Sequence, residues 1–230
     1  MDSGNLHKDN LKLNGFSVTK KLFSDLELDQ LVAELGNESS NYAIRQLVIK
    51  KPVLFNLIFS NENFKSLYKK ICGDDYFLTK AIFFNKPRKS NWFVNYHQDL
   101  SISAKRKQEE IGFSQWTAKD GLIGVIPPNE ILENTFTFRI HLDLTDRTNG
   151  ALQVIPKTHN KGIIRIDESF KKEKFENTEL CEVDKGGVMV MKPLLLHSSQ
   201  KSTSDFDRRV IHLEFCNKEI PMEWLEKKIV

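Results

Sequence analysis

The residues best suited to chemistry stand at the end of an apolar and aromatic run, where His97, Gln98 and Asp99 follow one another. Side chains alternate along an extended strand, so His97 and Asp99 would point to the same side. An imidazole nitrogen and a carboxylate oxygen could then share one metal ion. We predict that the third ligand is His197, which follows a second strand-like run at 187–191. Two histidines and one carboxylate, with the other positions open, form the ligand set of non-haem Fe(II) oxygenases.

Two further pairs in the chain have the same kind of spacing. His141 and Asp143 form a second His-x-Asp, and His212 and Glu214 form a His-x-Glu. By spacing alone, any of the three pairs could join His197. A lone pair on the polar face of a strand is more often surface or hydrogen-bonded filler than a metal site. Spacing therefore leaves the choice of pair open.

The first third of the chain, residues 1–75, is predicted to be a helical layer. Residues 1–15 have the composition of a frayed polar start that ends in a turn. Ser24 and Glu27 have the spacing of a capping box at the start of a helix. The pattern over 42–72 is again helical. We find no ionisable cluster in this part of the sequence that would suggest chemistry.

The remainder, residues 76–218, is predicted to be a β-barrel core within a single domain that spans residues 1–230. Short strand-like runs alternate with Gly and Asn turns, and this pattern is typical of a sandwich or barrel. Thr148-Asn149-Gly150 has the signature of a hairpin turn. The long mixed segment 101–134 is expected to be an ordered insertion or lid. A charged loop is expected at 167–178.

Composition limits the classes of partner. The 230 residues are 40% hydrophobic and 28% charged, and the formal net charge is only +3. Such a weak charge favours no nucleic-acid partner, and no apolar run is long enough for a membrane span. Three cysteines without metal-type spacing and a polar start without a signal-peptide pattern predict a cytoplasmic protein with reduced thiols. Composition does not indicate an oligomeric state.

The order of motifs along nearly the whole chain resembles the phytanoyl-CoA dioxygenase-like (PhyH) family of Fe(II)/2-oxoglutarate oxygenases. An Asn-Gly-Phe entry before a capped helix also looks like the start of that family. The motifs that carry the resemblance are Asn14-Gly15-Phe16, His97-Gln98-Asp99, Asn149-Gly150-Ala151-Leu152, Pro156-Lys157-Thr158-His159, Leu196-His197-Ser198-Ser199 and Arg208.

The resemblance implies a mainly β fold with flanking helices. This fold is the double-stranded β-helix, a jelly-roll or cupin-like barrel with N-terminal helices packed on one sheet. His97, Asp99 and His197 would ligate Fe(II), and 2-oxoglutarate and O2 would be the cosubstrates. Ascorbate is expected to support activity.

The resemblance also implies how 2-oxoglutarate is held. Arg208 stands eleven residues after His197, where the family places the arginine that pairs with the far carboxylate of the cosubstrate. A guanidinium suits that carboxylate because it can donate two parallel hydrogen bonds. Arg209 would point to the other strand face and is the alternative. Ser199 follows the distal histidine where family members often add a hydroxyl to the site.

Two features depart from the family pattern. Arg139 occupies a position beside the cosubstrate that is more often aromatic or amide-bearing. It could hold an anionic group of the substrate or cosubstrate, or it could be a salt-bridged strand residue. The segment 101–134, with Trp116 as a candidate substrate contact, is longer than in compact members. The identity of the substrate therefore cannot be carried over.

The reaction implied by the resemblance is hydroxylation of a C–H bond in a small molecule, with release of succinate and CO2. Family members that halogenate replace the carboxylate at Asp99 with a small residue, so its presence favours hydroxylation, or a related desaturation or cyclisation. Two alternatives stay open. The chain could be a catalytically silent cupin-like binding module, or a zinc hydrolase that uses the same three ligands.

Overall fold

The computed structural model describes residues 3–36, 42–119, 121–166 and 177–230. Residues 167–176 of the predicted charged loop lie outside these ranges. The helices are α1 (Ser3–Asn14), α2 (Asp25–Leu35), α3 (Leu47–Lys50), α4 (Pro52–Ser60), α5 (Glu62–Cys72) and α6 (Asn129–Glu133). The strands are β1 (Phe16–Val18), β2 (Ala43–Arg45), β3 (Phe77–Lys86), β4 (Val94–His97), β5 (Ile102–Ala104), β6 (Ser114–Lys119), β7 (Leu122–Ile126), β8 (Thr135–His141), β9 (Leu152–Ile155), β10 (Glu179–Cys181), β11 (Val188–Met191), β12 (Leu196–Ser199), β13 (Arg208–Cys216) and β14 (Lys228–Ile229).

The strands form two main antiparallel sheets. The larger has the order β1-β11-β8-β13-β3-β14, with β2 also paired to β3, and the smaller has the order β10-β9-β12-β4. Leu152 and Val154 of the smaller sheet share a buried cluster with Met189 and Met191 of the larger, so the two sheets pack face to face. From β8 onward the chain passes repeatedly between the sheets. This is the predicted double-stranded β-helix, and the structure confirms it.

Helices cover the outer face of the larger sheet. The alternation along β8 and β13 turns Phe138, Ile140, Leu213 and Phe215 outward, where they join one core cluster with the helical residues. Ring contacts tie the two layers, since Phe138 and Phe215 both lie within about 6 Å of Tyr68 of α5. The opposite, inner face of the same strands carries polar side chains.

The predicted capping box of α2 is present. The Ser24 backbone N–H donates to Glu27 Oε2 at 2.7 Å, and the Glu27 N–H donates to Ser24 Oγ at 3.3 Å. The predicted frayed start is wrong, because α1 is a regular helix. Leu11 is buried in the core, and His7 Nδ1 lies 2.8 Å from Ser17 Oγ. Tertiary packing therefore stabilises a helix that its polar composition did not suggest.

The predicted hairpin at Thr148-Asn149-Gly150 is also wrong. The strands on either side, β8 and β9, lie in different sheets. A short 3-10 helix at Arg147–Asn149 makes the crossing, and Gly150 follows it with φ +84°. The helical pattern predicted over 42–72 likewise contains a strand, β2, which pairs with the edge of β3. Both errors have one cause, because a local pattern does not encode the sheet that a strand joins.

The segment 101–134 folds into a small antiparallel sheet of order β5-β7-β6 followed by α6. Ile102 and Val125 are buried in a cluster that includes Trp224 from the C-terminal end. The three cysteines are free and buried. Within the described ranges, the helices are too short and too polar for any of them to cross a membrane.

Candidate active site

Three side chains that can bind a metal meet where β4 and β12 pair. His97 and His197 are register partners across these strands, and their ring centroids are 4.2 Å apart. Asp99 Oδ1 lies 3.7 Å from His97 Nε2, and Asp99 Oδ2 lies 3.8 Å from His197 Nε2. One ligand atom from each residue lies within 4.8 Å of the others, as one ion would require. Among the described residues, this is the group of three that could hold a metal.

Backbone hydrogen bonds orient both histidine rings. The Nδ1 of His97 lies 2.9 Å from the carbonyl of Asn95, and the Nδ1 of His197 lies 2.9 Å from the carbonyl of Leu195. A carbonyl oxygen can only accept, so each Nδ1 carries the proton and each Nε2 presents its lone pair. Such contacts behind a ligand set the tautomer and ring orientation that a metal needs.

The loop after β4 places Asp99. Its N–H donates to the carbonyl of Pro193 at 2.9 Å. The side chain of Gln98 turns the other way, donating to the carbonyls of Gly162 and Leu194 and accepting from the N–H of Ile164. Gln98, the middle residue of the His-Gln-Asp motif, therefore fixes the loop by hydrogen bonds. The sequence did not reveal this role. The Asp99 Oδ2 atom is buried without a hydrogen-bond partner among the described residues, so it is open to an ion.

The charge states suit a divalent cation. Burial lowers the pKa of His197 to about 4 against the opposing pull of Asp99, so the ring is neutral at pH 7. Burial also opposes the ionisation of Asp99, but its neighbours outweigh that effect and hold the pKa of this carboxyl below its usual range. Neutral imidazoles beside a carboxylate are the ligand forms that metals bind.

The other two candidate pairs, His141 with Asp143 and His212 with Glu214, already have hydrogen-bond or ion-pair partners. His141 Nδ1 lies 2.6 Å from Thr145 Oγ1, and Asp143 pairs with Arg209. His212 Nε2 donates to Glu214 Oε1 at 3.0 Å, so that pair bonds internally. Among the described residues, the pair that lies beside His197 is therefore His97 with Asp99.

The two candidate arginines have opposite surroundings. Arg209 donates from Nε and Nη2 to the two oxygens of Asp143, at 2.9 and 2.7 Å, and is already paired. Arg208 points to the inner face, is 4% exposed, and has Nε and Nη1 buried without a partner in the described chain. Burial and nearby Arg139 lower the pKa of Arg208 to about 9. A buried guanidinium with free donors fits an incoming carboxylate.

Lys86 is a functional candidate that the sequence analysis missed. It is the register partner of Arg208 and is 1% exposed. Its Nζ donates to Ser199 Oγ at 2.9 Å and to the carbonyl of Gln200, while Ser199 Oγ donates to the carbonyl of Gly150 at 2.8 Å. Burial and Arg208 lower the pKa of Lys86 to about 7. The sequence did contain a signal for it, because Lys86 is a charged residue at the end of a strand-like run and shares a strand face with apolar residues.

Arg139 lies on the inner face and belongs to a polar chain. Its Nη1 donates to His212 Nδ1 at 3.0 Å, so within the described residues its partner is an imidazole ring, not the carboxylate of a salt bridge. Beyond His212, Glu214 accepts from Lys80 Nζ at 3.0 Å. Arg139 Nε is buried and has no partner in the described part of the chain. Burial lowers the pKa of Arg139, while Asp99 opposes the shift.

A cavity of about 640 Å³ opens beside Asp99. Its walls come from the larger sheet, the small sheet of segment 101–134 and the C-terminal end. Thr117 and Lys119 of β6 face the cavity, whereas Trp116 precedes them on the same strand and packs against the cluster that contains Trp224. The side chains of Ile82, Phe84, Leu100 and Ile123 give it apolar walls, and those of His212, Glu214 and Glu226 give it polar ones.

Solved structures share this architecture at low sequence identity. The non-heme monooxygenase ThoJ, in its apo form, has a TM-score of 0.64 and 15% identity over 91% of this chain and 76% of its own. EctD from S. alaskensis with 2-oxoglutarate and 5-hydroxyectoine has a TM-score of 0.67 and 17% identity, over 91% and 74%. The epimerase SnoN in complex with Fe3+, alpha ketoglutarate and nogalamycin RO has a TM-score of 0.70 and 10% identity, over 98% and 94%. At these identities the likeness concerns the fold.

The family is shown by sequence. No curated protein matches the chain. The family model described as phytanoyl-CoA dioxygenase (PhyH), however, matches residues 11–210, which include the His97, Asp99 and His197 cluster and Arg208. The chain therefore belongs to the phytanoyl-CoA dioxygenase family and is a non-haem Fe(II)- and 2-oxoglutarate-dependent dioxygenase.

Proposed function

We propose that His97, Asp99 and His197 hold the Fe(II) of this dioxygenase and that the protein hydroxylates a C–H bond of a small molecule. The observation that carries the proposal is the convergence of one ligand atom from each of these three residues within 4.8 Å, beside an Asp99 Oδ2 atom that has no hydrogen-bond partner in the described chain. With iron bound, 2-oxoglutarate and O2 supply the oxidising chemistry that yields succinate, CO2 and the hydroxylated product.

Arg208 anchors the far carboxylate of 2-oxoglutarate in this proposal. Its Nε and Nη1, which have no partner in the described chain, supply the paired donors, whereas the donors of Arg209 already go to Asp143. Lys86, the register partner of Arg208, and Ser199, which accepts a hydrogen bond from Lys86, lie beside this anchor. Arg139, nearer Asp99, contributes a second buried positive charge. The protein's part is thus to bind and orient the cosubstrate through charge.

The cavity beside Asp99 is the proposed site for the small-molecule substrate. Its apolar walls exclude water from the reacting C–H bond, and the sheet of segment 101–134 acts as the lid. Trp116 supports that lid from behind, in contact with the cluster around Trp224. We also propose a cytoplasmic location, which the three free, buried thiols support.

Anaerobic titration of the Fe(II)-loaded protein with 2-oxoglutarate tests this function. Joint binding produces a weak visible metal-to-ligand charge-transfer band. We expect the band in the wild type and in His141→Ala, its loss in His97→Ala, and a weaker band at equal 2-oxoglutarate in Arg208→Ala. No band from iron-loaded wild type would refute the proposal. Hydrolytic activity with zinc in place of the band would favour the zinc hydrolase instead.

A further inference from the structure

Glu226 is a buried carboxyl that has no role in the proposed binding of iron and 2-oxoglutarate. It lies in the C-terminal segment beyond residue 210, where the family match ends. The residue is 4% exposed and lines the cavity beside Asp99. Its Oε2 accepts from the N–H of Ala81 at 3.0 Å, while its Oε1 is buried without a hydrogen-bond partner in the described chain.

The C-terminal segment holds Glu226 firmly in this wall. Trp224 is 2% exposed, donates from Nε1 to the carbonyl of Lys218 at 2.9 Å and forms a β-bridge with Ala104. Two residues after Glu226, β14 pairs with β3. The carboxyl is therefore anchored on both sides and belongs to a rigid wall of the cavity.

The charged neighbours of Glu226 compensate its charge only in part. In the part of the chain that the structure describes, Lys80 of β3 and Glu214 of β13 are the charged groups that shift its pKa. Lys80 is engaged by Glu214 at 3.0 Å and also donates to the carbonyl of Ser101. Burial, with Glu214 adding to it, raises the pKa of Glu226 to about 7, against the opposing effects of the Ala81 N–H, the Lys80 ammonium and the Val48 N–H. A buried carboxyl in this state is stabilised by any cation that reaches it.

We propose that Glu226 binds a basic nitrogen of the substrate, so that the substrate is an amine or guanidine rather than a neutral molecule. This inference rests on the proposed function, since it names the substrate class of the same site. The positive group would lie at the wall formed by the C-terminal segment. Lys80 and Glu214 would lie between this group and Asp99. The rest of the molecule would lie along the apolar walls toward the metal site. Arg45 and Lys119, exposed at the cavity mouth, can meet an acidic group if the substrate carries one.

Matched pairs of probes test the nitrogen. Hexylamine and 6-aminohexanoate carry an ammonium group, whereas 1-hexanol and 6-hydroxyhexanoate have the same chain with a hydroxyl. Titration calorimetry measures their affinity for the protein with and without Fe(II) and 2-oxoglutarate. We expect each ammonium probe to bind wild type at least ten-fold more tightly than its hydroxyl partner. Equal affinities within a pair, or no measurable binding of either ammonium probe at millimolar concentration, would overturn the inference.

Two variants assign the preference to Glu226. Glu226→Gln keeps an acceptor for the Ala81 N–H and should reduce the ammonium preference to less than three-fold. Glu223→Gln, which removes an exposed carboxylate of the same segment paired with Lys105, should leave it unchanged. Persistence of the preference in Glu226→Gln, or its loss in Glu223→Gln, would place the cation elsewhere.

Two readouts separate this inference from the proposed function and from misfolding. The 2-oxoglutarate charge-transfer band should be unchanged in Glu226→Gln. Absence of the band in wild type would refute the dioxygenase site, and the cation preference would then be judged by calorimetry alone.

In wild type at pH 6.5, binding an ammonium probe should release protons, because the cation shifts Glu226 to its carboxylate form. Calorimetry in two buffers of different ionisation enthalpy detects this release, which the hydroxyl probes should not cause. A release that is equal for both probe classes would contradict the role of Glu226.

Discussion

At the scale of single residues, the inner face of the larger sheet concentrates buried charge. Lys86, Arg139 and Arg208 are all at least nine-tenths buried, and both arginines keep nitrogen atoms that no other described residue engages. Burying charge without a partner costs several kcal/mol per group. These residues make physical sense together only when an anion completes them, as the carboxylates of 2-oxoglutarate would.

Substitution of Arg208, the proposed 2-oxoglutarate anchor, should weaken cosubstrate binding selectively. Arg208→Ala removes two charge-assisted donors, each worth about 1.5–3 kcal/mol, so we expect the Kd for 2-oxoglutarate to rise about a hundred-fold or more. Arg209→Ala is the matched control, since it removes a cation from the neighbouring position whose donors go to Asp143. Anaerobic titration of the charge-transfer band measures both. A larger effect in Arg209→Ala would reverse the assignment of the two arginines.

Glu226 should make the stability of the fold depend on pH. Its pKa is raised from 4.5 to about 7, so the folded state holds a proton that the unfolded state has lost between these values. Stability contributed by this group is therefore lost as pH rises through that window. Glu226→Gln should be more stable than wild type by about 1–3 kcal/mol at pH 8 and close to wild type at pH 4. Urea unfolding at both pH values measures this, and a difference that is independent of pH would contradict it.

At the scale of elements, crossings between the sheets bring site residues together. The turn at Arg147–Asn149 carries the chain from β8 to β9, and Gly150 follows in a left-handed conformation with φ +84°. The carbonyl of Gly150 accepts from Ser199. A Cβ atom at Gly150 would lie 2.7 Å from both Lys86 Nζ and the Gln200 carbonyl oxygen. The turn is thus built against the group of residues around Arg208.

Gly150→Ala should destabilise the fold and weaken 2-oxoglutarate binding together. Alanine in a left-handed conformation costs about 1–2 kcal/mol, and the contact with Lys86 adds to this. Gly36→Ala is the control, because Gly36 also has a positive φ, of +59°, but a Cβ there meets none of the described residues within 4 Å. Urea unfolding should show a larger loss for Gly150→Ala, and only this variant should raise the Kd for 2-oxoglutarate. Equal losses in both variants would show that the close contact has no consequence.

At the scale of the whole molecule, the two facing sheets, the outer helices and the small sheet of segment 101–134 form one support for the site. The helices bury the outer face of the larger sheet, which leaves its inner face free to be polar. The small sheet and the C-terminal segment then share a second cluster that closes the cavity. A metal held between β4 and β12 would join the edge of the smaller sheet to the loop that carries Asp99.

Metal binding should therefore raise the thermal stability of the whole domain. A ligand present at about 100 times its Kd stabilises the folded state by about 2.7 kcal/mol, which corresponds to a rise in Tm of roughly 5–10 °C for a domain of this size. We expect this rise with Fe(II) or Mn(II) under anaerobic conditions, measured by scanning fluorimetry. Asp99→Ala should abolish it, whereas His141→Ala should retain it even if its starting Tm is lower. Retention of the full rise in Asp99→Ala would place the metal elsewhere.

The sequence by itself determined the family, the fold class and the candidate ligands. His97 and Asp99 are close in the chain, and strand alternation together with the order of later motifs pointed to His197 and Arg208. The capping box at Ser24 was equally readable, because its partners are three residues apart and interact within one turn. Patterns of this kind are local, so their physics is contained in a short stretch of chain.

Only the tertiary structure decided which groups are already occupied. Sequence could not show that Asp143 engages Arg209, that Glu214 engages His212, or that Lys86 lies beside Arg208. The helix at Ser3–Asn14 and the sheet crossing at Gly150 were also misjudged from the chain alone. The position of Glu226, far from the motifs in sequence, emerged only when the C-terminal segment packed on β3. Pairings between distant residues depend on which sheet each strand joins, and a local pattern does not contain that information.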